Sequence, residues 1–233
     1  MSRGRSASYE DQREHILAQA ARLFARQGYP ATSMNQVAEA CGLSKATLYH
    51  YYKDKRSLLI SIAETHVSKL AALVAEEEAS THTDEERLRR FIYRIVEEYA
   101  GAQDAHRVLT DDVRFLEEED RERVLDKERE VVAGFARAVA ALRPGAPSDD
   151  LAKPLTMLLF GMINWMFTWM KPGGRLDHAS IAPVVADLFL GGIGAVKAPP
   201  VRKRKPGRGA EGIPDAGDAK VSRRTRKEAK NLL

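Results

Sequence analysis

Apolar positions along this chain recur at steps of three and four residues, the spacing of one helix face, and strand-like two-residue alternation is absent. Between Tyr9 and Gln27, the residues Ile16, Ala20 and Phe24 share a face with Leu17 and Ala21 beside them. Gly28 and Pro30 then predict a stop. Ser33-Met34-Asn35-Gln36 has the form of a capping box, where a Ser hydroxyl and a Gln side chain satisfy each other's free backbone donors. It predicts a short helix ending at Cys41-Gly42. Ser44 can cap the next helix, Lys45 to about Tyr52. Asp54 can cap a fourth, from about Lys55 to Glu78, striped by Leu58, Leu59, Ile62, Leu70 and Leu73. Further helices are predicted at about 84–101, 105–117, 120–142, 149–170 and 178–196. Arg143-Pro144-Gly145-Ala146-Pro147 and Lys171-Pro172-Gly173-Gly174 break the last three apart. The expected fold class is all-α with about nine helices and no internal repeat.

Composition narrows the function classes. A hydrophobic share of 44% and a charged share of 30% over 233 residues suit a packed, soluble protein of one medium and one small domain. The most apolar stretch, Leu155 to Met170, is short for a membrane span and carries Asn164, so it reads as a buried helix. Residues 1–15 are polar and do not look like a signal peptide. A single cysteine, Cys41, excludes an internal disulfide and suits a reducing cytoplasm. The net charge of +4 is uneven: residues 198–233 hold 11 of the 37 basic and 4 of the 33 acidic groups, a net of +7. The rest carries 26 basic and 29 acidic groups, a net of −3, so the basic character belongs to the tail. After Pro199-Pro200 the tail is rich in Lys, Arg, Gly and Pro and reads as disordered. The six histidines (15, 50, 66, 82, 106, 178) are scattered, Cys41 has no evident partner, and no phosphate-cradling Gly loop is present. No metal, cofactor or enzymatic activity is expected.

Three of the seven tyrosines fall within residues 49–52, in a segment too short for a core of its own. Helix, tight Gly turn, helix over residues 33–52 has the dimensions of a helix-turn-helix, whose second helix enters the major groove. Such a helix needs cations and hydroxyls for phosphates, and donors or flat rings for base edges. Lys45, Thr47, Tyr49, His50 and Tyr51 are of those types, while Leu48 and Tyr52, four apart, can share the inward face.

Residues 11–60 resemble the DNA-binding domain of TetR-type transcriptional regulators. The likeness lies in Ile16-Leu17-Ala18-Gln19-Ala20-Ala21-Arg22-Leu23-Phe24, Gly28-Tyr29-Pro30-Ala31-Thr32-Ser33 and the run from Val37 to Tyr49, completed by Tyr52-Lys53-Asp54-Lys55 and Leu58-Leu59. The resemblance implies a dimeric regulator of double-stranded DNA, more often a repressor, released by a small effector. It implies that Ser33 and Lys55 contact phosphates, that Ser44 is a DNA-binding residue beside Lys45, Thr47, Tyr49, His50 and Tyr51, which line the groove, and that Val37, Ala38, Cys41, Leu43, Leu48 and Tyr52 form the small core. It places a dimer interface on the last two helices, through Leu151, Leu155, Leu158, Leu159 and Met162 on one and Val184, Val185, Leu188, Phe189 and Ile193 on the other. A looser likeness within 157–194, at Gly161 to Trp165 and Lys171 to Leu176, points to regulators that sense acyl-CoA thioesters.

The expected ligand wall combines Met162, Trp165, Met166 and Trp169 with Phe91, Ile95, Phe115 and Phe135, and Arg114 or Arg107 would meet a phosphate or carboxylate. The same side chains can equally fill a core. The expected organisation is a flexible basic arm over 1–8, a reading head over 9–54, an effector and dimerisation domain over 55–197, and the tail over 198–233. Arg3-Gly4-Arg5 in the arm is either a minor-groove contact or a solvated terminus. Ligand would act by population shift through the helix from Lys55, on a protein of the cytoplasm and nucleoid. The competing reading is a sequence-blind architectural DNA binder working through the basic tail.

Overall fold

In the computed structural model, which describes residues 3–143, 151–170 and 176–196, every regular element is helical. The order is α1 (Arg3–Gln27), α2 (Met34–Ala40), α3 (Lys45–Tyr51), α4 (Lys55–Glu78), α5 (Asp84–Gly101) and α6 (Gln103–Asp111). A 3-10 turn (Val113–Phe115) leads to α7 (Glu118–Ala141), α8 (Ala152–Trp169) and α9 (His178–Ile193). Side chains that close on the first-turn amides set most of the starts. Ser33 and Gln36 form the expected capping box before α2, and Ser44 Oγ accepts from the Thr47 amide at 3.0 Å before α3. Asp54 with Ser57, Thr83 with Glu86 and Asp177 with Ser180 do the same for α4, α5 and α9. Gly42, at φ 65°, ends α2: its own amide donates to Glu39 O and the Leu43 amide reaches back to Ala38 O. A side chain there would be forced into the left-handed region.

Several boundaries differ from the sequence expectation. α1 starts at Arg3 rather than Tyr9, so residues 3–8 of the expected flexible arm belong to the helix; no Pro interrupts that stretch. The helix expected over 105–117 becomes α6 plus a 3-10 turn, because the adjacent acids Asp111 and Asp112 sit at the negative end of a helix. α7 starts at Glu118, with Glu119 and Asp120 also in its positive first turn. α9 ends at Ile193, before Gly194. The breaks expected at 144–147 and 171–174 and the tail over 198–233 lie outside the described residues.

Two apolar clusters make the core. The first gathers Ile16, Ala20 and Phe24 of α1, Val37 of α2, Leu48 and Tyr52, and Leu58, Leu59 and Ile62 of α4. It also takes Val108 and Leu109 of α6, Val113, Leu116 and Val124. The second holds Leu70 and Val74 of α4, Phe91, Ile92 and Ile95 of α5, Phe135 of α7, Leu159 and Ile163 of α8, and Ala186 and Phe189 of α9. α4 therefore serves both clusters without a break, and α6 lends its end to the first. By length and composition α4 is apolar enough to cross a membrane (mean hydropathy 1.5), yet half of that apolar window is packed inside the protein. α7 crosses α4 closely at Gly134, where an added Cβ would collide with Val74 Cγ1.

Candidate nucleic-acid interface

α3 divides its residues between two tasks. Leu48 is wholly buried and Tyr52, just past the helix, nearly so, while Lys45, Thr47, Tyr49 and His50 face outward. Lys45 and Tyr49, four residues apart, lie one above the other on the exposed side of the helix, as Leu48 and Tyr52 do on the buried side. The Lys45 ammonium lies 5.8 Å from the centre of the Tyr49 ring. The Ser44 and Thr47 hydroxyls are 2.8 Å apart at the helix start, and both residues are exposed. Ser33 is exposed at the start of α2, where its hydroxyl donates to Gln36 Oε1 at 2.9 Å. Cations, hydroxyls, a phenol and an imidazole thus stand on one face, with no acidic residue in α3.

Two sequence expectations need correction here. The Lys55 ammonium donates to three carbonyls, Tyr29 O and Thr32 O at 2.8 Å and Pro30 O at 3.3 Å, and sits 4.4 Å from the Tyr29 ring. Its three protons are spent on tying the α1–α2 loop to α4, and desolvation lowers its pKa. It is a staple rather than a phosphate contact. Tyr51 is half-buried and stacks on Tyr9 of α1 with ring centres 4.9 Å apart, so it braces α3 more than it faces outward. His50 meets the Tyr51 ring edge-on at 5.6 Å. In the small core, Val37, Ala38, Leu48 and Tyr52 are buried as expected, with Cys41 and Leu43 half-buried at its rim.

Contacts that no motif announced fasten this head to the helices behind it. Arg56 of α4 pairs with Glu117 and, through Nε at 2.9 Å, with Asp120 of α7. The hydrogen bonds from Arg56 and Arg123 hold the Asp120 carboxyl below its usual range. Tyr29 stacks on Phe115 at 5.6 Å. Phe115, expected in a ligand wall, is therefore a head-side contact, and Arg114, 5.0 Å above its ring, is exposed with it. Arg107 reaches Ala25 O at 3.5 Å instead of a ligand site.

The remaining expectations divide between core and surface. Phe91, Ile95, Phe135 and Met166 are buried against one another or their neighbours and fill the second cluster; Met162 packs at its edge. Trp165 and Trp169 are half to two-thirds exposed instead of lining a pocket, while Ile163 and Met166 of the same helix are buried. Of the expected dimer residues, Leu155, Leu159, Val185 and Phe189 are buried within the subunit and Leu151 partly so. Leu158, Trp165, Trp169, Val184 and Leu188 are half to two-thirds exposed and form the outer apolar face of α8 and α9. The histidines are less scattered than their numbering suggests: His66 of α4 and His106 of α6, both buried, approach to 3.3 Å. Forty residues separate them, and spacing carried no sign of the pairing.

Comparisons with known proteins agree with this architecture. The model for "Bacterial regulatory proteins, tetR family" matches residues 16–62, and that for "Tetracyclin repressor-like, C-terminal domain" matches residues 81–193. A TetR-family transcriptional regulator from Bordetella parapertussis 12822 has a solved structure similar at 35% identity and a TM-score of 0.73, covering 80% of this chain and 98% of its own. The HTH-type transcriptional regulator AcrR of Shigella flexneri is 25% identical over 205 residues, 82% of this chain and 94% of that one. AibR, solved in complex with isovaleryl coenzyme A and operator DNA, is similar at 26% identity and a TM-score of 0.67, over 76% of this chain and 97% of its own. With a head that exposes one helix and a helical body behind it, and with a relative this similar along nearly its whole length, the chain belongs to the TetR family of transcriptional regulators, which act on DNA and are not enzymes.

Proposed function

We propose that the chain is a repressor that reads a palindromic operator as a homodimer, through a head over 9–54, and lets go when a small apolar effector enters the body over 55–197. The division of α3 into a buried Leu48 and an outward face of Lys45, Thr47, Tyr49 and His50 carries this reading. In it those four residues, with Ser33 and Ser44 at the helix starts, touch the duplex, and Tyr51 braces them. A single helix contacts too few bases to select a site, whereas a two-fold dimer reads half-sites about 34–36 Å apart. The exposed apolar face of Leu158, Trp165, Trp169, Val184 and Leu188 supports a second copy as its cover. The family description as repressor-like supports repression over activation.

The effector is an acyl compound in this reading. AibR, holding isovaleryl coenzyme A and operator DNA together in its structure, supports that class. α6 gives the coupling a route: its first turn borders the second cluster, while Val108 and Leu109 are built into the core of the head. A ligand that favours one position of α6 thereby favours one position of α3. Selection of bound duplexes from a random pool, followed by footprinting, tests the reading. The expected result is a protected palindrome; diffuse coating without a preferred site contradicts it and favours an architectural DNA binder.

A further inference from the structure

α3 is seven residues long and is anchored in the core by Leu48. A single anchor leaves so short a rod free to tilt, so its two ends decide where the outward residues stand. Ser44 fixes the first turn by accepting from the Thr47 amide. The last turn is held from α1. Tyr9, in the second turn of α1, stacks on Tyr51 with ring centres 4.9 Å apart and planes inclined by 26°. Four residues on, the Arg13 guanidinium lies 5.6 Å from the centre of the Tyr52 ring. Tyr9, Arg13, Ile16 and Ala20 follow helical spacing, so the face of α1 that buries Ile16 and Ala20 continues outward along the end of α3.

Tyr51 passes this hold to an outward residue. The His50 imidazole lies against the Tyr51 ring at 5.6 Å with planes 82° apart, the edge-to-face arrangement that aromatic rings favour. Lys45 and Tyr49 lie against each other instead, with the ammonium 5.8 Å from the ring centre. Tyr9 itself is 39% exposed, so its stack shields little apolar area and adds little to the core. What the stack does fix is a plane: with Tyr9 in place, the Tyr51 ring and the imidazole beside it share one orientation. A hydrogen bond to a base edge weakens steeply beyond about 3.2 Å, so a tilt that moves His50 by about 1 Å costs the contact.

We propose that Tyr9 is a positioning residue for sequence recognition: its stack on Tyr51 sets His50 for a base-edge contact, and α1 thereby helps to select the operator without touching a base. The proposal rests on the reading of α3 given above and deepens it by assigning part of the specificity to α1. It divides the outward face in two. Lys45 and Thr47 stand on the turn that Ser44 caps and are independent of Tyr9, whereas His50 depends on it. Loss of the ring at position 9 therefore lowers affinity for the preferred site and spares binding to other sequences, whose phosphate contacts are made at the helix starts.

A double-mutant cycle on the full-length chain tests this by fluorescence anisotropy, with the duplex that the parent protein selects and a scrambled duplex of equal length. Tyr9→Leu keeps a good helix former and loses the ring. It is expected to bind the selected duplex about three- to tenfold more weakly, the worth of one aromatic pair, and the scrambled duplex within about twofold of the parent. In a His50→Ala background the same change is expected to cost less than about twofold. Tyr9→Phe, which keeps the stack and lacks the hydroxyl, is expected to bind like the parent. Thermal melting checks folding, and should Tyr9→Leu fail that check, Tyr9→Gln replaces it in the same cycle. Parent-like binding by Tyr9→Leu overturns the proposal and leaves the reading of α3 standing. Equal losses on both duplexes or in both backgrounds also overturn it, since a general loosening of the head gives that pattern. A loss in Tyr9→Phe as large as in Tyr9→Leu overturns it too, by making the hydroxyl a direct phosphate contact. Parent-like binding by His50→Ala would instead remove His50 from the reading of α3, and the proposal with it.

Discussion

The head and the body of this protein are built from the same element, yet different forces fix them. In the head, a capping box, a serine cap and a left-handed glycine act over a few residues and specify α2, α3 and their angle almost locally. In the body, α5 to α9 are placed by side chains that meet across many tens of residues, such as Phe91 with Phe135, Phe135 with Phe160, and His66 with His106. Local rules hold a surface rigidly in one shape, as an interface for a regular duplex requires. Long-range packing leaves more arrangements close in energy, as a chamber that must respond to a ligand requires.

Truncation of the head core gives the largest effect. Leu48→Ala removes a wholly buried side chain on which α3 rests, with an expected cost of about 2–5 kcal/mol. Thermal unfolding by circular dichroism measures it, and DNA binding is expected to fall with it. In the body, Gly134→Ala should cost about 1–3 kcal/mol, because the new methyl group meets the stiff Val74 where α7 crosses α4. A variant that melts like the parent would show that the body yields at that crossing.

Between about pH 4 and pH 7 the largest shifts lie in the body. His66 and His106 have folded pKa values below their ordinary 6.5, so the unfolded chain binds protons first. Their contribution is complete above about pH 6.5 and is lost as pH falls toward about 4, by at most about 1.4 kcal/mol per group per pH unit. Glu128, raised to about 7, acts oppositely: its contribution is lost as pH rises from about 4.5 to about 7. Two groups outweigh one, so chemical denaturation should show stability falling as the medium is acidified below about pH 6. In Glu128→Gln the fall should be steeper. The smallest effect lies in the head again: Ser44→Ala removes the cap of α3 and should cost about 1 kcal/mol without pH dependence.

This contrast also explains what could be read from the sequence. The caps Ser33, Ser44 and Asp54 lie within three residues of the amides they serve, so three helix starts were legible. The buried or exposed standing of Leu48, Tyr49 and Tyr52 followed from helical spacing. Lys55 misled because its type suits a phosphate, whereas its partners are carbonyls 23 to 26 residues earlier. Trp165 and Trp169 misled for a similar reason: large aromatic residues suggest a pocket, and only the packing of α8 shows that Ile163 and Met166 hold the inner face. The Arg56–Asp120 clamp and the histidine pair depend on folding that brings α4 against α6 and α7, and no local pattern carries that information.

Fluorescence anisotropy of a labelled duplex selected by the full-length chain tests the role of α3 most directly. The comparison is between that chain and a Lys45→Ala, Tyr49→Ala, His50→Ala variant, both confirmed by melting to be equally folded. The account predicts that the variant loses at least about 100-fold in affinity for the selected duplex, since each base-edge contact is worth about 1–3 kcal/mol. Equal binding by the two proteins would contradict it.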